Sequence, residues 1–348
     1  MNKFILYFSL ISVFACSQQT TIGMKDHKYS MVPNHIVWIQ VPGFLYEHTV
    51  LRNFESPSPV NYSIWNEFSC VGYSWSYNLY NIRPSNRDQA LTQVTGNQNI
   101  KNNCLDYEQK TLWDFLKIYK YKSLVIEKQP KSKNSFLSSL NCKKSNFLDN
   151  VSFLLMDKKN KQINQKKFFH YQSSNYEFKP GEILIDKTCQ NGDCISSIKD
   201  NLEKTWEKLL QKNSKSFLLV RDFDYEKIVS SKNALNIKKR LFEYEKLLRY
   251  ILEKRKVHPD MLVVFSSTNG KRIEFPKQGK RWNELFDSGK YLTFHNKSLY
   301  NNFLSMGARS ENFCGSFNDS EIIDRFLWLN KDYNYLKSIK NYFHKLKK

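Results

Sequence analysis

A mostly parallel β-sheet covered by helices on both faces is the architecture this sequence predicts. Four runs rich in branched and aromatic residues, 35–41, 123–126, 216–220 and 261–265, are almost wholly apolar, as expected of strands buried on both sides. Stretches with helical apolar spacing lie between them, and a strand-helix alternation of this kind feeds a parallel α/β sheet. With 348 residues, 41% of them hydrophobic, the chain can bury a core of that size.

The first residues decide the compartment. Lys3 precedes an apolar run beginning at Phe4 that is too short to cross a bilayer as a permanent helix, so it reads as a secretion signal. The segment 13–16 resembles a bacterial lipobox, in which a small residue, here Ala15, precedes a cysteine, here Cys16, that is lipidated and becomes the mature N-terminus. Phe14 departs from that pattern, and an ordinary signal peptide with a coincidental cysteine is the alternative. Ser17 follows the cysteine, which by the same resemblance implies an outer-membrane lipoprotein of the bacterial envelope. Several acyl chains there give stable anchoring. The expected organisation is a signal peptide over 1–16, a polar tether over 17–33, one folded domain over 34–330 and a basic amphipathic tail over 331–348. That tail carries Leu336, Ile339, Tyr342, Phe343 and Leu346 among lysines.

Within the domain, the strand at 35–41 stops at Pro42 and Gly43. Residues 54–99 are aromatic and loop-rich; Trp65, Tyr73, Trp75, Tyr77 and Tyr80 either stack on sugar rings or fill the core beside Phe68. Leu112, Phe115, Leu116 and Tyr119 share a helix face ahead of the strand at 123–126. Residues 127–180 are rich in Lys, Asn, Gln and Ser and read as an insertion or helical excursion. A helix over 195–212, with Trp206 and Leu209 on its stripe, precedes the strand at 216–220. The segment 241–252 is the strongest amphipathic helix, with Tyr244, Leu247, Leu248, Ile251 and Leu252 inward and Glu245 spaced to pair with Arg249. Residues 305–309 and 311–315 read as compact loops.

Lys+Arg outnumber Asp+Glu by 54 to 33, a net charge of +21, which favours anionic partners such as lipid headgroups and acidic envelope glycans. Nucleic acid is not expected, because no nucleic-acid-binding motif stands out. Six cysteines follow Cys16, an even number suited to disulfides in an exported chain, and Cys189 and Cys194 flank a turn-forming Asn191-Gly192. Gly-x-Ser-x-Gly is absent, and no glycine-rich phosphate loop appears among 11 glycines.

The strand at 261–265 empties into Ser267, Thr268, Asn269 and Gly270, a frame that resembles the Thr/Ser-Asp-His-Gly of the alkaline-phosphatase and sulfatase superfamily. The segment 90–96 likewise resembles that family's Leu-Leu-Thr-Gly at the end of the helix carrying the nucleophile. The resemblance extends diffusely from about residue 35 to 329. It implies an alkaline-phosphatase-like sheet with a pocket at the carboxyl ends of its strands, where the family holds metal through Asp and His. Here Pro42 and Gly43 stand at the first ligand place and Thr268 and Asn269 at the last. Asn86 falls at the nucleophile, with Ser85 the nearest hydroxyl. No metal and no cofactor are expected there, and the chain reads as a non-catalytic binding or envelope protein. Arg83, Arg87 and Lys271 are candidates for gripping an anion. Two alternatives stay open: an active ester hydrolase with ligands rewired to Glu47, Asp222, Asp224 and His295, and a basic scaffold for acidic lipids or glycans. His35, His258 and His344 read as surface or packing residues.

Overall fold

The computed structural model describes residues 31–53, 63–157, 167–169, 177–189, 194–212, 215–277, 280–288 and 292–327. Cys16, the tether up to residue 30, the Asn191-Gly192 turn and the tail lie outside them. At the centre of the sheet is β1 (His35–Gln40), paired in parallel with β7 (Ser216–Asp222) and with β8 (Met261–Ser266). Beyond β7 lie β3 (Lys122–Lys128), β4 (Ser152–Met156), β6 (Ile183–Asp186) and β5 (Lys167–Phe169), all parallel. On the other side, β11 (Tyr300–Gly307) runs antiparallel to β8 and to β2 (Cys70–Trp75), and β12 (Gly315–Asn318) closes that edge parallel to β2. A separate ribbon pairs β9 (Lys271–Glu274) with β10 (Thr293–Lys297).

The predicted mostly parallel sheet is therefore present, and its apolar strands split residue by residue between two cores. Val37 and Ile39 of β1, Leu218 and Val220 of β7 and Val263 and Phe265 of β8 face one layer. The helices Ile198–Lys212, Asp224–Ser230 and Ala234–Val257 cover it with Trp206, Tyr225, Tyr244 and Leu248. Ile36, Trp38, Phe217, Leu219, Leu262 and Val264 face the opposite layer, under the helices Asn86–Thr95, Leu112–Ile118 and Ile322–Leu327. Two-sided burial is why these strands carry no alternating polar residues.

Three expectations differ from what forms. The segment 127–180, expected as an insertion or helical excursion, supplies β4 and β5, and the short apolar run 153–156 of β4 is fully buried despite the polar sequence around it. Residues 305–307 end the long strand β11 where a loop was expected over 305–309, while the other expected loop, 311–315, is a short turn that leads into β12 at Gly315; Phe303, Leu304 and Met306 have the two-sided burial of a sheet interior. The aromatic segment also divides. Trp65 is buried against Phe44, Phe68 and Phe265, whereas Tyr73, Trp75, Tyr77 and Tyr80 are exposed, the first two on the outward side of β2. Glu245 turns inward to Arg52 (3.1 Å) and the Trp65 indole (3.3 Å). Three disulfides, Cys70–Cys314, Cys104–Cys142 and the expected Cys189–Cys194, staple loops to this body.

Candidate functional site

The carboxyl ends of the central strands carry a row of polar side chains that sequence reasoning did not single out. Register aligns Ser266 of β8, Gln40 of β1, Arg221 of β7 and Glu127 of β3 side by side. Each sits two residues beyond a core residue of one layer, so all four point to the same face. Arg221 donates from Nε to Gln40 Oε1 (2.8 Å) and from Nη1 to Glu127 Oε1. Its guanidinium is stacked 3.9 Å from the Phe136 ring centroid and 4.8 Å from that of Phe223. Glu127 also accepts from Ser135 Oγ and from the Phe136 amide (3.1 Å). Burial pushes the Glu127 carboxyl up from its ordinary value, and the Arg221 charge pulls it back. A pair with no exposure on either partner persists only because each remaining hydrogen-bonding group is also met.

From Gln40 the network crosses to the Asn86–Thr95 helix. Gln40 Nε2 donates to Gln93 Oε1 (2.7 Å), and Gln93 Nε2 donates to Asp319 Oδ1 (2.9 Å), which also accepts from Ser74 Oγ (2.6 Å). Asp319 Oδ2 has no hydrogen-bond partner among the described residues. Burial without a cation pushes this carboxyl up to about 7 from the usual 3.8, against the opposing pull of its hydrogen bonds. The other face of the same strand ends holds a second set: Asp222 accepts from Tyr244 Oη (2.7 Å), and Asp224 meets Lys128 and Arg240, each at 3.2 Å.

The sequence-predicted pocket residues gather at the loops above this network. Gly43, at φ +86°, donates its amide to Thr268 O (2.7 Å) and accepts from the Lys271 amide (3.1 Å). A side chain there would be strained by that φ and would press on the Glu226 backbone at 3.3 Å, so glycine lets the Pro42-Gly43 turn lie against the loop after β8. Asn269, at φ +53°, donates its backbone amide to Gln89 Oε1 (2.6 Å) and its Nδ2 to Glu226 Oε1 (2.9 Å). Asn86 Oδ1, Thr268 Oγ1 and Asn269 Oδ1 are buried and have no hydrogen-bond partner among the described residues. Ser85 caps the helix: its Oγ accepts from the Asp88 amide (3.2 Å) and donates to Asp88 Oδ2 (2.8 Å). That engagement, together with a helix ended by Gly96 in the left-handed conformation, makes Ser85 a structural cap.

The three candidate anion-binding cations are not brought together. Arg87 is held by Asp106 (2.8 Å), Asp88 (3.0 Å) and the Tyr107 hydroxyl (3.0 Å), and Lys271 reaches Ser230. Arg83 lines a separate open cleft of about 530 Å³ with Trp75, Arg272, His295, Ser298, Leu299 and Tyr300. The rewired set is likewise dispersed. Glu47 accepts from the Ile273 amide (2.7 Å), His295 pairs with Glu274 (2.9 Å), and Asp222 and Asp224 are engaged below the long helix.

No protein-family model matches the sequence, and a comparison with curated proteins finds no match either. Solved structures do match. The alkaline phosphatase of Thermus thermophilus superposes with a TM-score of 0.66 at 8% identity, covering 90% of this chain and 96% of that one. The cold-active enzyme from a psychrophilic Shewanella gives 0.63 at 11% identity, with 85% and 100% covered. The enzyme of the Antarctic bacterium TAB5 gives 0.61 at 10% identity, with 86% and 98% covered. This is the alkaline-phosphatase fold.

The donor set at the strand ends does not fit the divalent centre that the alkaline-phosphatase resemblance implies. Pro42 and Gly43 have no ligating side chain, Thr268 and Asn269 are neutral, and the Glu127 carboxylate of the strand-end row is taken up by Arg221. Among the described residues, the one group of three imidazole or carboxylate ligands within reach of each other is His35, His258 and Asp260, at the opposite ends of the strands.

Two outcomes follow from this electrostatic arrangement. Arg221→Met leaves Glu127 buried and unpaired and is expected to destabilise the fold by about 3–5 kcal/mol in denaturant unfolding, whereas Arg221→Met with Glu127→Leu recovers most of the loss. Equal losses in both variants would contradict the pairing. Asp319 is protonated below about pH 7 when folded but only near pH 4 when unfolded. Its contribution therefore favours folding at acid pH and is lost as pH rises through that window. Asp319→Asn is expected to flatten the fall in melting temperature between about pH 4 and pH 7; an unchanged slope would contradict it.

Proposed function

We propose that this chain is an exported, lipid-anchored envelope protein whose alkaline-phosphatase-like domain binds an acidic glycan and does not hydrolyse esters. The observation that carries the reading is the Gln40–Arg221–Glu127 row. Where a hydrolase of this fold needs carboxylates and imidazoles around a divalent ion, the strand ends hold a guanidinium neutralised by one carboxylate. At the positions that match the family's nucleophile, Ser85 is committed to its helix cap and Asn86 has no hydroxyl. The solved neighbours are alkaline phosphatases, and an active hydrolase remains the rival reading, but its four candidate ligands are split between two places, Glu47 and His295 at the β9–β10 ribbon and Asp222 and Asp224 beside Arg240.

The open cleft beside β2 supports the binding half of the proposal. Trp75, 43% exposed, has its indole N–H fixed on Ser316 Oγ (2.9 Å), which leaves a ring face for a sugar. Tyr73 and Tyr300 pack edge to face nearby at 5.6 Å. Arg83 and Arg272 supply guanidinium forks suited to a phosphate or uronate group. Aromatic surface and paired cations are the chemistry of acidic sugar recognition, and the net charge of +21 steers the same class of ligand. A lipid on Cys16 with a polar tether would hold this cleft at the envelope. Among the described residues no helix is long and apolar enough to cross a membrane.

Purified protein is expected to show no turnover of aryl phosphates or sulfates and to bind lipopolysaccharide in a salt-sensitive way, with weaker binding to the dephosphorylated form. Trp75→Ala and Arg272→Ala should each weaken binding about tenfold, equivalent to ~1.4 kcal/mol. In cells, Cys16→Ser should move the protein from the detergent phase to the aqueous phase. Metal-dependent turnover abolished by Asp222→Asn would overturn the proposal, as would binding indifferent to both cleft variants.

A further inference from the structure

The amino ends of the central strands carry a second constellation, unrelated to the pocket. His35 is the first residue of β1, and register places it beside Ser216, the first residue of β7, and Met261, the first of β8. The long helix Ala234–Val257 ends immediately before β8, because Pro259 disfavours helical backbone at His258. The turn that follows is closed by the Met261 amide donating to His258 O (3.1 Å), so His258 and Asp260 are presented from a tight, proline-stiffened link. One nitrogen or carboxylate oxygen from each of His35, His258 and Asp260 falls within 4.8 Å of the others. The two imidazole centroids are 5.1 Å apart and nearly perpendicular, an arrangement in which ring nitrogens converge and ring faces do not stack.

We propose that His35, His258 and Asp260 bind one divalent transition-metal ion, with zinc as the best-matched class. Two imidazoles and a carboxylate are borderline nitrogen and oxygen donors, which suit zinc and its neighbours and leave too few oxygens for calcium or magnesium. Tetrahedral zinc separates its ligand atoms by about 3.4 Å, so the observed spread closes by small side-chain rotations of His258 and Asp260, which are only half-buried. His35 is preset for the role. Its Nδ1 lies 3.0 Å from Ser216 Oγ, and with Nδ1–H donating to that hydroxyl, Nε2 carries the lone pair for a metal. Trp206 packs beside the ring at 6.3 Å and limits its movement. The half-exposed side of the group gives an ion entry from solvent, and a water can complete the shell.

The ion would cross-link the end of the long helix, the first strand and, through Ser216, the strand beside it. Its role is to fasten the sheet at the edge where the tether joins, and it stands apart from any chemistry at the carboxyl ends. In contrast to the cleft, this group needs no partner molecule.

The test is zinc binding to the full mature chain, measured by competition with a chromophoric chelator and by thermal unfolding with and without Zn2+. One ion per chain and a rise in melting temperature of several degrees are expected. His258→Gln and Asp260→Asn, both at half-exposed positions, should each lower affinity by at least about 100-fold and abolish the rise, while His295→Ala, at the exposed pair with Glu274, should leave both unchanged. Absence of stoichiometric binding overturns the proposal. So does binding that survives the His258 and Asp260 variants, or that is removed by His295→Ala.

Discussion

The buried pair of Arg221 and Glu127 governs how the strand ends are organised. Parallel strands bring their last residues into one line, and in this fold that line faces the pocket. A lone charge placed there would cost several kcal/mol of lost hydration, so each charged member must find a partner within reach. Arg221 finds Glu127 on one neighbour and Gln40 on the other, with Phe136 and Phe223 against its planar faces. Once Gln40 is committed, Gln93 and Asp319 continue the hydrogen-bond chain to Ser74 on the buried side of β2. A single neutralised network thereby occupies the line across β1, β7 and β3, and the helix Asn86–Thr95 is fastened to the sheet through it.

Much of the architecture was legible because burial on both faces leaves an unmistakable trace. The runs at 35–41, 216–220 and 261–265 contain almost no polar residue, and all three became central strands. The apolar run of β4 is only five residues inside a lysine- and asparagine-rich stretch, too short to separate strand from helix by periodicity. For β11, the polar Asn301, Asn302 and Ser305 disguised a buried strand; their side chains are absorbed by local hydrogen bonds, such as Asn301 to Gln89 (3.0 Å) and Ser305 to Ser310 O (2.8 Å).

The candidate site was less legible, for a reason of scale. Short motif frames located the turn at Pro42-Gly43 and the loop at Thr268-Asn269, and these do meet, through the Gly43 amide. What fills the ends of the strands is a set of residues distant in sequence, Gln40, Glu127, Arg221 and Asp319, joined only by register. A signal was present: each of these strands closes on polar residues, Gln40 in β1, Ser266 in β8, Glu127 and Lys128 in β3, Arg221 and Asp222 in β7, and their types are complementary. The His35, His258 and Asp260 group was hidden in the same way, since 223 residues separate its first member from its second, and parallel pairing alone brings them together.

Arg221 and Glu127 balance each other at the carboxyl ends of the central strands without a metal. Anomalous diffraction at the zinc edge from crystals soaked in Zn2+ tests it most directly. The account predicts no anomalous peak among Pro42, Asn86, Arg221 and Asn269, with any zinc signal at the amino ends of the strands. A well-occupied peak coordinated at the carboxyl ends, beside Arg221, would contradict it.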